Sequence, residues 1–532
     1  MTPALEAHEP LERAERFGLA LGLMLAAALM WPLRHHVIDD TFVHLRYASH
    51  LAQGEGPVFN TGEHVYGCTS PLWIAFIADG MALGLNGLRV ARVMGLLATL
   101  ATIPLFLQLM RRSVRLPALR ALATVAWSAN AWLLMWSMSG METPLAVALV
   151  IAGFVAFTEG KQWGTRPVRT GALWALAALA RPEAVLLLLL WGITLLVDAN
   201  NRVGLRRLVY GVVPPALVYG AWLLFARLFF GTFWPRALAA RGAVHAGLDL
   251  PGLFGQLRVV AQTDGVPLLL LAASLAFGAR AVRGRGPLAA QRALPWLWLL
   301  LTPLLYAARG VPPNSRYLLL VLPVLEWLAW RAADAWWLPR GAGPRPRRVP
   351  AAVLGFAATA LAVLVNVGVY ESQVVPQVER STALLHGGLI PWGEWFKSHA
   401  PPGAAIAAPE VGAIGFLSGT RVLDLTGLIS PELEPSPLRA RDPVARLALA
   451  RVARPEFLID RAPRAFELLE RSPYAAALAP LGRAPAGAER GRADSVYTFY
   501  RIDWSVLDTL AAARAAGGER GRGADTTSGA TR

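Results

Sequence analysis

Two adjacent carboxylates, Asp39 and Asp40, are the residues of this 532-residue chain whose type and spacing most directly indicate chemistry. They follow an apolar stretch at 17–33 and open a polar segment, residues 37–73, that contains several glycines. Two carboxylates in close contact repel each other, so we expect the pKa of one of them to rise toward the range of a general base. A simple acidic helix end at the membrane surface is the alternative interpretation.

The composition predicts a polytopic membrane protein around this pair. Hydrophobic residues make up 55% of the chain and charged residues 16%, whereas soluble proteins have about 45–50% and about 25%. The apolar residues are concentrated in blocks whose length matches the hydrocarbon thickness of a bilayer. We predict about eleven transmembrane helices, near 17–33, 90–110, 117–137, 143–158, 168–180, 183–198, 208–230, 264–280, 293–308, 316–337 and 349–370.

The formal net charge of +16 does not indicate a nucleic-acid partner, because the arginines lie in short clusters between the apolar blocks. Arginine clusters of this kind mark the cytoplasmic ends of spans. With an uncleaved first span and a cytoplasmic N-terminus, the segment that begins at Asp39 is expected outside the cell. The arginine pattern stays consistent only if residues 71–87, which contain Asp79 and three glycines, form a juxtamembrane or re-entrant helix that does not cross.

The predicted domain organisation has three parts. Residues 1–370 form the transmembrane domain, with a first external loop at 34–89. Short apolar strands alternate with helices over 371–510, which predicts a small extracytoplasmic α/β domain. Its strands are expected within 404–428, at 456–460 and at 495–503, and its helices include 442–453 and 463–472. The Gly- and Arg-rich residues 511–532 are expected to be a disordered tail.

The first external loop has features that suit a substrate with a lipid tail and a polar head. Residues 40–52 are predicted to form an amphipathic helix, with Leu45, Ala48 and Leu51 on its apolar side. Asn60 and Glu63 follow in a segment rich in turn residues. An interfacial helix of this kind holds nearby polar groups at a fixed depth relative to the bilayer.

The loop sequence "IDDTFVHLRYASHLAQGEGPVFNTGEHVYGCTSPLW" resembles the first external loop of the GT-C superfamily of integral membrane glycosyltransferases. The likeness is greatest to bacterial enzymes that use polyprenyl-phosphate sugars, especially the mycobacterial terminal arabinofuranosyltransferases. It continues through "SGMETPL", "LARPEAVLLLL", "GTFWPRALAAR", "PNSRYLLLVLPVL" and "PEVGAIGFLSGTRVLDLTGLISPE", so that it covers most of residues 30–430 in order.

The resemblance implies a reaction and roles for residues. A sugar arrives on a polyprenyl phosphate, and Asp39, with Asp40 beside it, acts as the general base on an acceptor hydroxyl that displaces the lipid phosphate. Other members carry Lys-Pro-Pro where this chain has Thr69-Ser70-Pro71, so arginines are expected to contact the phosphate instead. The candidates are Arg46, Arg181, Arg236 and Arg316, with Arg241 as a further one.

The remaining candidates would contact the sugar or the acceptor, and they are Tyr47, Asn60, Glu63, Thr69, Ser70, Glu142, Glu183 and Tyr317. Structural interpretations stay open for several of them. Arg181 and Glu183 would form an ion pair, Glu142 would cap the next helix, and Arg316 would extend toward the interface at a span end. No particular cofactor is predicted, and Asp39 or Asp40 would be the ligand of any divalent cation. The chain lacks the glycine-rich motifs of nucleotide binding.

These expectations together predict a multi-pass glycosyltransferase of the inner (cytoplasmic) membrane, with its active site on the extracytoplasmic face. Its partners would be the lipid bilayer, a polyprenyl-phosphate sugar donor, and an envelope glycan, lipid or protein acceptor. Two alternatives are a lipid or glycan transporter or flippase, and a non-catalytic glycolipid-binding protein with the same fold. A transporter would be expected to show paired repeats, and none is visible in the sequence.

Overall fold

The computed structural model describes residues 10–159, 164–198, 202–236, 249–278, 289–337, 348–433, 453–462, 475–488, 494–510 and 512. The chain divides into two compact units. The first contains the described residues of 1–37 and 68–379, and the second contains residues 38–67 together with the described residues from 380 onward. The sequence-based division assigned residues 38–67 to the transmembrane domain; its boundaries at 370 and 510 stay predictions.

The first unit is helical. In chain order its helices are α1 Arg13–Met30, α3 Pro71–Ala82, α4 Gly87–Arg111, α5 Pro117–Ser128, α6 Ala131–Ser137, α7 Thr143–Phe157, α8 Pro167–Ala180, α9 Ala184–Val197, α10 Arg202–Phe230, α11 Leu250–Gly278, α12 Ala289–Ala308, α13 Ser315–Leu318, α14 Leu322–Trp337 and α15 Arg348–Val369. Proline opens α3, α5 and α8, where its fixed φ suits a first helical position and its missing N–H costs nothing.

Five helical stretches of the described residues are long and apolar enough to cross a membrane. They are Arg13–His35, Gly87–Arg111, Gly204–Phe230, Leu250–Ala276 and Pro350–His399. Side chains that face outward on them are apolar, for example Leu217, which is 68% exposed, and Leu364, also 68% exposed. Helices whose outer surface is apolar require a lipid environment. The predicted membrane fold is therefore confirmed, whereas the predicted number of eleven spans stays a prediction.

Aromatic residues form the packed centre of the first unit. Phe154 and Phe157 of α7 contact Trp174 of α8, and Trp191 of α9 packs edge-on against Trp174 with ring centroids 5.5 Å apart. Gly153 makes this packing feasible, because a Cβ there would lie 2.1 Å from the Trp174 indole nitrogen. Large rings in edge-to-face contact bury much apolar area and fix the angle between their helices.

The predicted spans overlap observed helices, although the spans predicted at 117–137 and 316–337 are each divided into two helices and the helix over 264–280 begins at Leu250. The segment at 71–87 contains the helix α3. Whether α3 crosses the membrane stays a prediction. Pro71 ends the preceding extended segment and starts α3, and the helix stops at Ala82 before Gly84, whose φ is +81°. A left-handed residue at this point breaks the helix, which separates α3 from α4.

The second unit is an α/β domain. It contains α2 Asp39–Ala52, most of α16 Val375–Gly387, α17 Leu389–His399 and α18 Gly412–Ser418. Its strands are β1 Ala405–Ala408, β2 Arg421–Asp424, β3 Phe457–Ala462, β4 Leu478–Ala488 and β5 Asp494–Ile502, in the sheet order β2-β1-β3-β5-β4. Strand β1 pairs in parallel with β2 and β3, while β5 pairs antiparallel with β3 and β4. The predicted small C-terminal sheet domain is confirmed.

One strand was not predicted. The segment of β4 contains Pro480, Pro485 and Gly482, which disfavour a central strand. The segment is nevertheless a strand because it lies at the sheet edge, where its register shifts at Pro480/Gly482 and at Pro485/Gly487. The predicted helices at 442–453 and 463–472 and the predicted disordered tail lie almost entirely outside the described residues.

Candidate functional site

Asp39 is the first residue of α2, and its carboxylate is held by the backbone of the second unit. The N–H of Gly412 donates to one carboxylate oxygen at 2.9 Å, and the N–H of Ala413 donates to the other at 2.8 Å. Glycine is required at 412, because a Cβ there would lie 2.0 Å from the Asp39 carbonyl oxygen. The carboxylate therefore has a fixed position and orientation.

Burial raises the pKa of Asp39 to about 7, although the two N–H donors act in the opposite direction. The negative charges of Glu410 and Asp40 raise it further, in that order. Asp39 is thus half ionised near neutral pH, which is the condition for an efficient general base. Asp40 is exposed to solvent, so the two members of the acidic pair have different surroundings.

Glu410 and Tyr497 of the second unit interact with Asp39, and Arg461 pairs with Glu410; the sequence analysis did not identify these three as site residues. Glu410 forms an ion pair with Arg461 and a side-chain hydrogen bond with Tyr497. Burial raises the pKa of the Tyr497 hydroxyl, and the charges of Glu410 and Asp39 raise it further. Glu410 follows the carboxyl end of β1, and Arg461 lies near the carboxyl end of the parallel strand β3. Functional sites form at the carboxyl edge of parallel strands, so the position of Glu410 and Arg461 near the ends of strands could have identified them from the sequence.

Arg46 has a structural environment in the second unit. Its guanidinium donates to the carbonyl oxygens of Phe59 at 2.9 Å, of Gly415, and of Thr420 at 3.1 Å. Burial lowers the pKa of Arg46 to about 10. These contacts tie α2 to the end of α18, and they favour a structural role over the predicted contact with phosphate, which stays a prediction.

Tyr47, Asn60 and Glu63 also make structural contacts within the second unit. Tyr47 is fully buried and packs edge-on against Phe59. The Asn60 amide accepts from the Val422 N–H at 3.0 Å and donates to the Val422 carbonyl at 2.8 Å, so it satisfies the free edge of β2. Glu63 accepts from both Asn60 and Arg421. The predicted roles of these residues in binding sugar or acceptor stay predictions.

In the first unit, Arg181 lies between two glutamates. Its guanidinium donates to Glu142 at 2.7 Å, to both carboxylate oxygens of Glu183 at 3.0 and 3.2 Å, and to the Thr143 hydroxyl at 3.0 Å. The side chains of Arg181 and Glu142 are each only 3% exposed. This is a buried ion-pair network in which every guanidinium nitrogen of Arg181 already donates to a protein oxygen. It matches the predicted Arg181–Glu183 ion pair, whereas the Glu142 side chain makes no cap hydrogen bond to α7.

Arg316 has a different environment, at the start of the short helix α13. Its guanidinium carbon lies 5.8 Å from the Trp136 ring centroid and 5.6 Å from that of Tyr317. Tyr317 in turn packs against Tyr306, with ring centroids 5.4 Å apart. Arg316 is half-buried on this aromatic surface, and its planar guanidinium is of the type that suits the oxygens of a phosphate.

The other predicted site residues of the first unit are less informative. The Thr69 and Ser70 hydroxyls lie 3.4 Å apart just before α3. Arg236 is half-buried and is the last described residue after α10, while Arg241 lies outside the described residues.

Within the ranges that the structure describes, no group of three or more His, Cys, Asp or Glu side chains is arranged to hold a metal ion. The divalent cation at Asp39 or Asp40 stays a prediction.

A second buried acidic pair was missed by the sequence analysis. Asp264 of α11 and Glu326 of α14 are 0% and 3% exposed, and their side chains form a hydrogen bond. Asn130 and the Thr263 hydroxyl donate to the same oxygen of Asp264, at 3.1 and 2.6 Å. A hydrogen bond between two carboxyl groups requires one shared proton. Acidic residues within apolar spans were the signal, because their burial is costly without a partner.

Comparison with known proteins places this geometry in context. Residues 377–521 match a family described as a domain of unknown function, DUF8728. A terminal beta-(1->2)-arabinofuranosyltransferase of Corynebacterium glutamicum is 28% identical over 40% of this chain and 34% of its own length. The match therefore spans about one third of that relative.

Two solved structures are similar over nearly the whole chain. ArnT from Cupriavidus metallidurans, in a crystal structure with undecaprenyl phosphate, is 14% identical with a TM-score of 0.56, over 92% of this chain and 98% of that one. The arabinofuranosyltransferase AftD from Mycobacteria is 19% identical with a TM-score of 0.54, over 92% of this chain and 40% of that one. The predicted resemblance to the GT-C membrane glycosyltransferases is confirmed, and the chain has their fold.

Proposed function

We propose that this protein is a membrane glycosyltransferase that moves a sugar from a polyprenyl-phosphate donor to a hydroxyl of a cell-envelope acceptor. The observation that carries the proposal is the carboxylate of Asp39, fixed by two backbone N–H groups and poised by burial at a pKa of about 7. The GT-C fold supports the donor class, because ArnT was crystallised with undecaprenyl phosphate.

In the proposed reaction, Asp39 accepts the proton of the acceptor hydroxyl as the hydroxyl oxygen attacks the anomeric carbon. The bond from that carbon to the phosphate oxygen breaks, and the lipid phosphate leaves with the electron pair, which inverts the configuration. Each oxygen of the Asp39 carboxylate keeps a lone pair beyond the one that accepts an N–H, so the carboxylate can take a proton without leaving its place. Fixed geometry and a pKa near the working pH are the two requirements of a general base.

Arg316 is the residue we propose for the donor phosphate. The guanidinium of Arg181 already donates to Glu142, Glu183 and Thr143, and a phosphate would have to displace one of these partners against the repulsion of two carboxylates. Arg316 lies on the Trp136 and Tyr317 rings, and the Arg181 guanidinium also approaches the Tyr317 ring, at 5.6 Å from its centroid. A planar guanidinium on an aromatic surface is suited to bidentate contact with phosphate oxygens.

The reaction is tested by offering the purified protein, in proteoliposomes, a panel of labelled polyprenyl-phosphate pentoses and hexoses with envelope extracts as acceptors. Transfer of label from one donor to an alkali-stable glycan or lipid product supports the proposal. A panel that yields release of free lipid phosphate without a glycosylated product, or no turnover at all, contradicts it. A sugar nucleotide serves as the control donor and is expected to be inert.

The extracytoplasmic location is also part of the proposal, and cysteine labelling tests it. In a Cys68→Ala background, cysteines at the exposed positions Ser398 and Leu85 are expected to react with an impermeant thiol reagent in intact spheroplasts. A cysteine at the exposed Arg112 is expected to react only after the membrane is opened. Labelling of Arg112→Cys together with protection of Leu85→Cys would mean that α3 crosses the membrane and that the proposed sidedness is wrong.

A non-catalytic glycolipid-binding protein is the second candidate, and one observation favours it. Both oxygens of the Asp39 carboxylate accept backbone N–H groups, an arrangement that also serves simply to join α2 to the N-terminus of α18. The two candidates differ in the transfer assay. The non-catalytic protein would retain a polyprenyl-phosphate sugar without converting it, and Asp39→Asn would change its stability and not its chemistry.

A further inference from the structure

A basic cavity of about 520 Å³ lies in the first unit, away from every residue discussed as a site residue above. Its wall comes from the start of α8, including Arg166 and Arg169, and from the N-terminal part of α10, including Arg206, Arg207 and Tyr210. The volume is within the range of small-ligand sites, about 300–1,000 Å³. The sequence predicts that these arginines lie on the cytoplasmic side of the membrane. The proposed glycosyl transfer does not use them.

Positive charge exceeds negative charge around this cavity. The described acidic residue that contacts its arginines is Glu159, whose carboxylate lies 3.5 Å from Arg169 and 3.9 Å from Arg166. Arg206 lies over the ring of Tyr210, with its guanidinium carbon 5.4 Å from the ring centroid. The first turns of α8 and α10 add the positive ends of two helix dipoles. An anion is therefore the ligand that this cavity favours.

The two helices are held together by a contact that only glycine permits. A Cβ on Gly171 of α8 would lie 2.7 Å from the carbonyl oxygen of Gly211 of α10, and a Cβ on Gly211 would lie 2.4 Å from Leu195. Close approach of these backbones brings the two arginine pairs to one cavity. The cavity is therefore a consequence of how α8 and α10 pack.

The side chains beside the arginines are apolar and exposed. Val168 is 49% exposed, Leu205 55% and Val209 50%, and the same helix α10 continues with exposed Val212 and Val213. Apart from Val168, which is on α8, these residues belong to α10, one of the helices long enough to span a membrane. A phosphate-bearing headgroup in the cavity would thus have its acyl chains along the lipid-facing surface of α10, which a free phosphate would not use.

We infer that this cavity binds the phosphate headgroup of an anionic phospholipid in the cytoplasmic leaflet. Basic cavities at the membrane surface attract anionic lipids, with each arginine contributing about 1 kcal/mol near the surface, or about fivefold in affinity. The inference is independent of the proposed glycosyl transfer, and it assigns to this arginine cluster a role beyond that of a topology signal.

The test is native mass spectrometry of the purified full-length protein in detergent, titrated with dioleoyl phosphatidylglycerol or dioleoyl phosphatidylcholine. The wild type is expected to retain phosphatidylglycerol at least tenfold better than phosphatidylcholine. The double variant Arg206→Gln/Arg207→Gln is expected to lose phosphatidylglycerol retention by about thirtyfold. The control Arg89→Gln/Arg112→Gln, which removes the same charge at the two ends of α4, is expected to stay within twofold of the wild type.

Other outcomes overturn the inference. Equal wild-type affinity for the two lipids would show that charge does not select the ligand. Equal losses in the cavity variant and the control would show a general effect of net charge. Displacement of phosphatidylglycerol by inorganic phosphate at equal concentration would assign the cavity to free anions. If Arg206→Gln/Arg207→Gln does not fold, Arg166→Gln/Arg169→Gln replaces it, and the wild-type comparison of the two lipids decides without any variant.

Discussion

Asp39 in the second unit and Arg181 in the first are both held in place by hydrogen bonds, but the charges near them differ in sign relative to their own. Arg181 is enclosed by Glu142 and Glu183, so its charge is compensated at 2.7–3.2 Å. Asp39 accepts from two neutral N–H donors, and the nearby Asp40 and Glu410 carry charge of the same sign, although Glu410 is itself paired with Arg461.

This difference in surrounding charge indicates a structural role for Arg181 and a reactive role for Asp39. A compensated buried charge is stable in one protonation state and resists change, because breaking the pair leaves an isolated charge. A buried carboxylate among like charges is close to neutralisation at physiological pH and can exchange a proton. We therefore attribute fold stability to the Arg181 network and proton transfer to Asp39, and the following variants are designed to separate the two roles.

The largest effect is expected for Asp39→Asn. The amide keeps the size of the side chain but cannot accept a proton, so sugar transfer should fall by about 10²–10⁴-fold, the usual contribution of a general base. The matched control is Asp79→Asn, which removes an exposed carboxylate from α3 and should leave transfer unchanged. Transfer by Asp39→Asn within threefold of the wild type, at equal protein and equal thermal stability, would remove Asp39 from the chemistry.

Arg181→Met is expected to act on folding. Removing the cation leaves Glu142 and Glu183 uncompensated, and breaking a buried pair in this way costs about 3–5 kcal/mol. The yield of folded protein and its unfolding temperature in detergent should fall sharply, and Glu142→Gln/Glu183→Gln in the same chain should restore part of both. A stable Arg181→Met protein that has lost only its affinity for the donor would instead place Arg181 at the phosphate.

Arg316→Ala is expected to act on donor binding. The donor KM should rise by about tenfold or more at equal amounts of folded protein, because a hydrogen bond to a charged group contributes about 1.5–3 kcal/mol. Arg316→Lys keeps the charge without the planar fork and should give a smaller increase. An unchanged donor KM in both variants would leave Arg181 and Arg236 as the described candidates of the first unit.

The smallest effect is expected for Glu410→Gln and Asp40→Asn. Each removes a negative charge that raises the pKa of Asp39, so each should lower that pKa. The base is then ionised at lower pH, and the acidic limb of the pH–rate profile should move to lower pH, more for Glu410→Gln than for Asp40→Asn. A shift to higher pH would mean that these carboxylates act on the rate by another route.

The fold was largely predictable because its signals are local. Apolar blocks and the arginines between them predicted the helices, and alternation of short strands with helices predicted the terminal domain. Strand β4 was missed because its prolines are tolerated only at a sheet edge, and edge position is a property of the assembled sheet.

The site was predictable only in part, because its contacts join distant parts of the sequence. Asp39 was identified from its neighbour Asp40 and from a family resemblance. Its hydrogen-bond donors, however, are 373 and 374 residues away. The sequence likewise could not predict that Arg46 is engaged by carbonyl groups or that Asn60 covers the edge of β2, since both depend on packing with residues beyond 410.

The central claim, that Asp39 is the general base, is tested most directly by the pH dependence of single-turnover sugar transfer in the wild type. Asp39 acts only when ionised, and its pKa is about 7. The rate should therefore be constant above pH 8 and fall tenfold for each unit below pH 6, with a midpoint near 7. A rate that stays constant from pH 5 to 8, or a limb that persists unchanged in Asp39→Asn, would contradict the claim.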